Sequence, residues 1–315
     1  MKRKVVCCLK PTTLDYYLTV PPEVPHMLAR YDFDFIYCEN TGDFLKYLPE
    51  AEIAIAVDFK ADWVGLAPKL KWVTTNTAGK ERIAEDELLK RGIKVSFARF
   101  HGQIMAETVI GMMLFTSRGL GKSYRLQKEI KWCDRLLQEE LFTLRGKSCM
   151  ILGYGHIGRH VARLTKSFGM YNIGVKRAVT AHPERPECLD ELVPFSSFSK
   201  HLPGADHLVI ILPKTSETTD IIGADELSLL KPSACIYNVG RGNCIDESAL
   251  FLALKRQRIK WACLDVFKEE PLPMDSPLRT LDNILILPHS SAFAPEYYPL
   301  FFEEFLKDFE RYIEN

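Results

Sequence analysis

Short apolar runs alternate with polar stretches of helix length along most of the chain. In the first hundred residues the runs are VVCCL, FDFIYC, AEIAIAV, LKWVTT and IKVSFA. A second series follows, made of KSCMILG, YNIGVK, HLVIILP, ACIYNVG, KWACLDVF and NILILPH. Continuous apolar runs separated by helical segments are typical of βαβ units, in which helices cover both faces of a parallel sheet. The pattern predicts an α/β fold with two doubly wound parallel sheets.

The segments between and after the two series set the predicted domain boundaries. HGQIMAETVIGMMLFTSRGL is apolar around most of its circumference, which predicts a helix buried within the protein or at a subunit interface. After the second series only an aromatic-rich amphipathic segment remains, and we expect it to return to the first domain. We therefore predict a discontinuous domain of residues 1–99 and 290–315 and an inserted domain of residues 100–289. Three prolines predict a loop over residues 21–25.

The composition is that of an ordinary globular protein without electrostatic bias. The chain has 41 basic and 41 acidic residues, so nothing in it predicts a nucleic-acid partner. Its apolar runs are too short for a bilayer, and the apolar part of MKRKVVCCLK ends at Lys10, which favours a first strand over a signal peptide. Nine scattered cysteines without a C-x-x-C pair predict reduced thiols in a cytoplasmic protein. The eight histidines show no metal-ligand spacing, so no metal is expected.

The stretch KSCMILGYGHIGRHVARLTKSFG contains three glycines in G-x-G-x-x-G spacing, between an apolar strand and a helix. Gly153 permits the tight turn, Gly155 lets the backbone approach a pyrophosphate, and Gly158 lets the helix pack on the strand. The amino end of the helix offers N–H groups and a positive dipole to the phosphates. The pattern predicts a dinucleotide site that comprises Gly153, Tyr154, Gly155, His156, Ile157 and Gly158.

Lys176 and Arg177 end the next predicted strand, eighteen residues after Gly158. An NAD site places Asp or Glu at this position, where the carboxylate accepts hydrogen bonds from the ribose hydroxyls. A Lys-Arg pair instead favours a 2′-phosphate, which Arg can hold through two hydrogen bonds. We predict that NADP(H) is the favoured cofactor, with NAD(H) possible. The competing interpretation is that both residues are solvated charges at a strand end.

Three polar segments, NVGRGNCID, LDVFKEEPLP and LPHSSAF, follow later strands at the edge where doubly wound sheets bind ligands. Arg241 suits the carboxylate of an anionic keto acid. His289, as an imidazolium near neutral pH, suits the donor of a proton to a carbonyl that accepts hydride. Glu270 suits the carboxylate that orients and charges this histidine. Taken singly, the three residues can also be read as a turn residue, a solvated loop charge and a strand-end histidine.

The order GYGHIG, NVGRG, DVFKEEPLP and PHSSAF resembles the D-isomer-specific 2-hydroxyacid dehydrogenase family, and the resemblance extends from WVTTNTAGKERI to the final helix. It implies a flavodoxin-like substrate domain with an inserted Rossmann dinucleotide-binding domain. It also implies that Arg241, Glu270 and His289 are catalytic, with Arg241 and His289 contacting the substrate. Ala78 and Gly79 match the family's turn for the substrate carboxylate. The matched cofactor positions are Leu212, Pro213, Thr218, Val239 and Asp265, the last near the nicotinamide carboxamide.

The same resemblance implies an assembly, a cofactor and a reaction. Residues 101–132 are similar to the family's crossing helix and arm, which implies a homodimer. The basic residue Lys176 is similar to that of NADP-preferring members such as glyoxylate and hydroxypyruvate reductases. The expected reaction is reduction of a small 2-keto acid to the D-2-hydroxy acid. The family places it in a cleft between domains, with hinges here near Arg99 and His289.

The chain departs from the family pattern at two places. Lys80 and Glu81 stand where the family usually has Val-Asp, which predicts a reshaped substrate loop. HSSAF replaces a run that commonly ends in Thr, so the contacts beside His289 are open. Two alternatives also stay open. One is an NAD-linked dehydrogenase for another or a phosphorylated D-hydroxy acid, and the other is a dinucleotide-sensing scaffold of the corepressor kind.

Overall fold

The computed structural model describes residues 2–10, 23–130, 132–138, 140–177 and 186–314. The chain divides into two compact units, one of residues 1–101 and 294–315 and the other of residues 102–293. These divisions lie two and four residues from the predicted boundaries. The assignment of substrate binding to the first unit stays a prediction.

The described strands of the first unit form one parallel sheet in the order β2-β1-β3-β4-β5, which is the flavodoxin-like order. Four of the strands lie within a predicted run, and β1 overlaps the run VVCCL but begins two residues before it. Their bounds are β1 Arg3–Cys8, β2 Phe33–Tyr37, β3 Ile53–Ala56, β4 Trp72–Thr75 and β5 Lys94–Phe97. The predicted parallel sheet of this unit is confirmed.

The described strands of the second unit form a parallel sheet in the order β12-β11-β10-β9-β6-β7-β8. Their bounds are β6 Ser148–Leu152, β7 Tyr171–Lys176, β8 Glu191–Pro194, β9 His207–Ile210, β10 Cys235–Asn238, β11 Trp261–Leu264 and β12 Ile284–Ile286. The six predicted runs are confirmed as strands. The sequence pattern missed β8, because ELVP is too short to stand out as an apolar run.

The described α-helices lie between the strands along the chain, except α10, which follows the last strand. Their bounds are α1 Glu23–Leu28, α2 Thr41–Tyr47, α3 Glu85–Lys90, α4 His101–Ser117, α5 Leu120–Leu126, α6 Asp134–Gln138, α7 His156–Ser167, α8 Ala224–Leu229, α9 Glu247–Lys255 and α10 Tyr297–Glu314. The aromatic helix α10 packs on the first unit, where Phe305 stacks on Trp72 with ring centroids 5.5 Å apart. Among the described residues no helix is both long and apolar enough to cross a membrane.

The loop predicted for residues 21–25 is wrong over its described part. Pro25 lies inside α1, which begins at Glu23, whereas residues 21 and 22 lie outside the described residues. Proline is tolerated in the first turn of a helix, because N–H groups there have no acceptor within the helix. Pro25 therefore lies in the first turn of a helix, where the sequence predicted a loop.

The strand order places a crevice at the carboxyl end of β6. The chain moves from β6 through β7 to β8 on one side and then crosses to β9 and onward to β12 on the other. Loops leaving β6 therefore separate from loops leaving β9, and doubly wound sheets bind ligands in the crevice between them.

The buried side chain of Asn172 connects β7 to neighbouring elements through hydrogen bonds. Its fully buried side chain donates to the carbonyl oxygens of Ala162 and Cys188 at 2.7 and 2.8 Å. Its Oδ1 accepts a hydrogen bond from Thr165 Oγ1 at 2.8 Å. The side chain thus joins α7, β7 and the segment before β8, which fixes the strand that presents Lys176.

We expect Asn172→Ala to lower the free energy of unfolding by about 2–4 kcal/mol, because three hydrogen bonds of a fully buried amide are lost. Urea unfolding followed by circular dichroism measures the change. Asn283→Ala is the matched control, because the Asn283 amide makes longer hydrogen bonds of 3.2–3.5 Å and should cost less. A loss below about 0.5 kcal/mol for Asn172→Ala would contradict this role.

Candidate active site

The glycine turn after β6 has the close approaches that the motif requires. Gly153 has φ +107°, and a Cβ there would lie 2.4 Å from the carbonyl oxygen of Ile211. A Cβ at Gly158 would lie 2.6 Å from the carbonyl oxygen of Gly153. At Gly155 a Cβ would meet no atom within 4 Å, so open space lies beside the amino end of α7. The turn fits a dinucleotide pyrophosphate, which would use that space and the N–H groups of the helix.

The other residues of the motif have unequal access to a ligand. The Tyr154 ring is buried, in a space that exists because residue 174 is glycine, so only the backbone of Tyr154 can reach a cofactor. Ile157 is partly buried and packs against the core. His156 is exposed at the first position of α7, with its ring centroid 5.0 Å from that of His160.

Lys176 and Arg177 are exposed where β7 ends. Arg177 forms an ion pair with Glu217, with Nη2 and Oε2 3.5 Å apart. The predicted cations thus lie at the carboxyl edge of the sheet, one strand away from the glycine turn. This is the position from which a charge can reach the adenosine ribose.

The residues predicted to line the cofactor from the β9 loop are largely structural in their side chains. Leu212 and Thr218 are buried, and Pro213 is exposed. Thr218 Oγ1 donates to the carbonyl oxygen of Pro213 at 2.7 Å and accepts from the N–H of Thr215 at 2.9 Å. Val239, at the end of β10, is buried. These residues follow β9 and β10 at the carboxyl edge of the sheet, and the Thr218 hydroxyl is hydrogen-bonded within its own loop.

The turn that carries Arg241 is stabilised by two hydrogen bonds of the Asn238 side chain. The Asn238 side chain accepts from the N–H of Gly240 at 3.1 Å and donates to the carbonyl oxygen of Arg241 at 3.0 Å. A Cβ at Gly242 would lie 1.9 Å from the carbonyl carbon of Phe267, so the turn packs directly on the segment after β11. The glycine after Arg241 is what permits this approach, and it brings Arg241 beside the DVF segment.

His289 and Glu270 form an ion-paired hydrogen bond. His289 Nδ1 lies 2.7 Å from Glu270 Oε2, and Glu270 Oε1 accepts from the N–H of Phe267 at 2.9 Å. The hydrogen bond at Nδ1 leaves Nε2 as the outer nitrogen of the ring. The structure thus brings together the predicted histidine and carboxylate, as the sequence-based hypothesis required.

Asp265 holds the segment that carries His289. Its fully buried carboxylate accepts the N–H of Ser290 at 2.7 Å and of Ser291 at 3.0 Å. Its carbonyl oxygen accepts the N–H of His289 at 2.9 Å. His289 has φ +53°, a left-handed conformation that costs energy for a non-glycine residue and needs such support. Asp265 therefore anchors the histidine backbone, and its predicted contact with the carboxamide stays a prediction.

The charges of the site shift two pKa values in opposite directions. The hydrogen bond to Glu270 raises the pKa of His289 above its usual 6.5, against the opposing effects of burial and of the Arg241 charge. Burial alone would raise the pKa of Glu270, but the hydrogen bonds from His289 and from the Phe267 N–H lower it overall, with a smaller contribution from Arg241. Arg241 therefore lies close enough to act on both groups. Both shifts favour the ionised form of the pair.

Ala78 and Gly79, the predicted substrate turn, lie in the first unit just after β4. Thr77 Oγ1 donates to the carbonyl oxygen of Gly79 at 3.1 Å and contacts Thr75 Oγ1 at 3.2 Å. Lys80, one of the departures from the family pattern, pairs with Glu85 at 2.7 Å. The hydroxyl groups of Thr75, at the end of β4, and Thr77, just after it, thus stabilise this turn.

Sequence reasoning missed the residues that support this site. They are Thr108, Asn238, Gly240, Gly242, Ser290 and Ser291, and Thr108 Oγ1 donates to the carbonyl oxygen of Ser291 at 3.0 Å. The NVGRG segment carried a signal for three of them, because Asn and Gly are typical of a tight turn. Over the described part of the chain no three His, Cys, Asp or Glu side chains form a group that could hold a metal ion.

The sequence of this chain is similar to those of known enzymes. The family model described as "D-isomer specific 2-hydroxyacid dehydrogenase, NAD binding domain" matches residues 110–291. Glyoxylate/hydroxypyruvate reductase B of Yersinia pestis is 32% identical over 299 residues, which cover 91% of this chain and 90% of that protein.

Two solved structures have the same fold over nearly their whole length. An acyclic imino acid reductase in complex with NADPH and D-Arg has a TM-score of 0.80 and 25% identity, with 99% of this chain and 97% of that chain covered. A D-isomer specific 2-hydroxyacid dehydrogenase family protein from Aeromonas salmonicida has a TM-score of 0.74 and 29% identity, with 98% and 96% covered.

We expect Glu270→Gln to lower the pKa of His289, because the main cause of its raised value is removed while burial remains. NMR titration of the imidazole measures this pKa, and His289→Gln assigns the signal. In the wild type the His289 contribution to stability is complete below pH 6.5 and is lost as the pH rises through the raised pKa. An unchanged His289 pKa in Glu270→Gln would show that the ion pair does not form.

Proposed function

This chain belongs to the D-isomer specific 2-hydroxyacid dehydrogenase family and is an NAD(P)-dependent oxidoreductase, and from that premise we propose that it reduces a small 2-keto acid. The substrate is of the glyoxylate or hydroxypyruvate type, the product is the D-2-hydroxy acid, and NADPH is the preferred cofactor. The observation that carries the proposal is the His289–Glu270 ion pair, close to Arg241 at the ligand-binding edge of a dinucleotide sheet. The relative named glyoxylate/hydroxypyruvate reductase supports the substrate class.

Three side chains of this site carry the proposed chemistry. The nicotinamide dinucleotide, when bound, supplies the hydride. Arg241 binds the substrate carboxylate and polarises the neighbouring carbonyl with its positive charge. His289 donates a proton from Nε2 to the carbonyl oxygen, because its Nδ1 is engaged with Glu270. Glu270 keeps the imidazole charged before the transfer and fixes the orientation of its ring.

The preference for NADPH rests on Lys176 and Arg177. Both side chains are exposed at the end of β7 and carry the charge that a 2′-phosphate requires, where an NAD site has a carboxylate. A solved structure of the same fold contains NADPH, which is consistent with this choice. Each charge-assisted hydrogen bond to the phosphate contributes about 1.5–3 kcal/mol, so the preference can reach one or two powers of ten.

A second copy of this chain is the proposed partner. We call α5, α6 and the residues between them the arm. Its large apolar side chains are exposed, namely Leu120 at 52%, Tyr124 at 74%, Trp132 at 78% and Leu136 at 48%, and Leu136 lies beyond the predicted dimer segment 101–132. Residue 131 of the predicted dimer segment lies outside the described residues. Exposed aromatic residues grouped on one arm are typical of a surface that another protein covers. We infer that two copies associate through this arm.

We expect faster oxidation of NADPH than of NADH, with glyoxylate or hydroxypyruvate as substrate, in steady-state absorbance assays. The preference should disappear in Lys176→Asp/Arg177→Ala, because the cations for the 2′-phosphate are gone. Lys255→Asp/Arg256→Ala is the matched control, because it changes the charge equally at another exposed basic pair. Equal use of both cofactors by the wild type would contradict the proposed preference.

In the same assay His289→Gln should lower kcat by about 10²–10⁴, the usual contribution of a general acid. Circular dichroism and the melting temperature establish that the variant is folded. Turnover at the wild-type rate by a folded His289→Gln enzyme would show that the assigned proton donor is wrong.

We expect Tyr124→Ser/Trp132→Ser to weaken self-association about 30-fold or more, because buried aromatic residues are frequent hot spots worth about 2 kcal/mol. Sedimentation velocity over a range of concentrations measures the effect. Leu229→Ser/Met274→Ser is the control, since these residues are also exposed, at 42% and 84%, but lie outside the arm. A monomeric wild type, or an equally stable dimer of the arm variant, would refute the proposed interface.

A further inference from the structure

The ion pair between Arg177 and Glu217 crosses the place where a cofactor would bind. Arg177 directly follows β7, and Glu217 lies in the loop after β9. In the sheet β7 and β9 are the two neighbours of β6. A contact between their loops therefore spans the carboxyl end of β6, where the glycine turn lies.

Glu217 is presented by a loop with a defined conformation. Thr215 accepts a hydrogen bond from the hydroxyl of Thr219 at 2.8 Å, and its own N–H donates to the hydroxyl of Thr218 at 2.9 Å. Thr218 also donates to the carbonyl oxygen of Pro213 at 2.7 Å. These hydrogen bonds fix the backbone on both sides of Glu217, so its carboxylate stays within reach of Arg177.

The pair is weak enough to be exchanged. The two side chains are 75% and 67% exposed, and their charged atoms are 3.5 Å apart. Water and salt screen such a contact strongly, so exposed pairs contribute little stability. A phosphate dianion has more charge and more acceptor oxygens than a carboxylate, and it can bind a guanidinium through two hydrogen bonds.

We propose that Glu217 is a specificity-determining residue that competes with the 2′-phosphate of the cofactor for Arg177. The inference rests on the proposed role of Arg177 in NADPH binding. NADPH must displace the carboxylate from the guanidinium, whereas NADH leaves the ion pair in place. Glu217 therefore reduces the preference for NADPH and keeps NADH usable.

Glu217→Gln should lower the Kd for NADPH about two- to fivefold and leave the Kd for NADH unchanged. Titration of NADPH and NADH fluorescence with the purified enzyme measures both constants without turnover. Asp282→Asn is the matched control, because Asp282 pairs with Arg125 at the same distance of 3.5 Å, with exposed side chains on the same unit. This variant should change neither constant.

The Arg177→Ala background separates competition from simple repulsion. There Glu217→Gln should no longer improve NADPH binding, because nothing is left to compete for. The same gain with and without Arg177 would overturn the competition, and so would no gain in the single variant. If Arg177→Ala weakens NADPH binding while Glu217→Gln has no effect, this inference alone fails. If neither variant changes the Kd for NADPH, the proposed role of Arg177 in NADPH binding fails as well.

Discussion

Asp265 is buried without exposure to solvent, and its carboxylate accepts two backbone N–H groups at the start of the segment after His289. A buried carboxylate without such partners would be strongly destabilising, so the segment and the aspartate require each other. This anchoring also affects the proposed proton transfer, because the left-handed backbone conformation of His289 determines the direction of its imidazole ring. Thr108 joins the same segment to α4, so the histidine is connected to the longest helix of its unit.

The site also depends on backbones that approach each other closely. Gly242 packs on Phe267, Gly240 on Leu212, and Gly153 on Ile211, each at distances that a side chain would forbid. These contacts bring the loops that follow β6, β9, β10 and β11 together at one edge of the sheet. Polar groups on separate strands need such contacts if they are to stay within hydrogen-bond distance of one another.

The residues that support the site are buried, whereas the residues that would contact a ligand are more exposed. The anchoring aspartate and the Asn172 network are buried, where a lost hydrogen bond is costly and the geometry is held. The residues that face a ligand are more exposed, including half-exposed His289 and the cations after β7. Exposed charges change partners at low cost, which is what binding and release of a charged cofactor require.

Much of this protein follows from spacing along the chain. The period of the apolar runs predicted both parallel sheets, because a strand covered by helices on two faces must be apolar throughout. The glycine motif predicted a turn and a helix amino end, because φ and steric limits are local properties. The pairing of His289 with Glu270 was also predicted, from the chemistry that each residue offers. The local pattern did not predict the short strand β8. It also predicted a loop at Pro25, because a rule for helix interiors was applied to a residue in the first turn of a helix.

Only the tertiary structure decided which groups support the site. Nothing local to Asp265 indicates that its oxygens meet the N–H groups of Ser290 and Ser291, because that contact depends on β11 and β12 being neighbours. Similarly, Arg177 and Glu217 are forty residues apart and meet because their strands flank β6. Sequence spacing determines what each segment can become, whereas the strand order determines which polar groups come within hydrogen-bond distance.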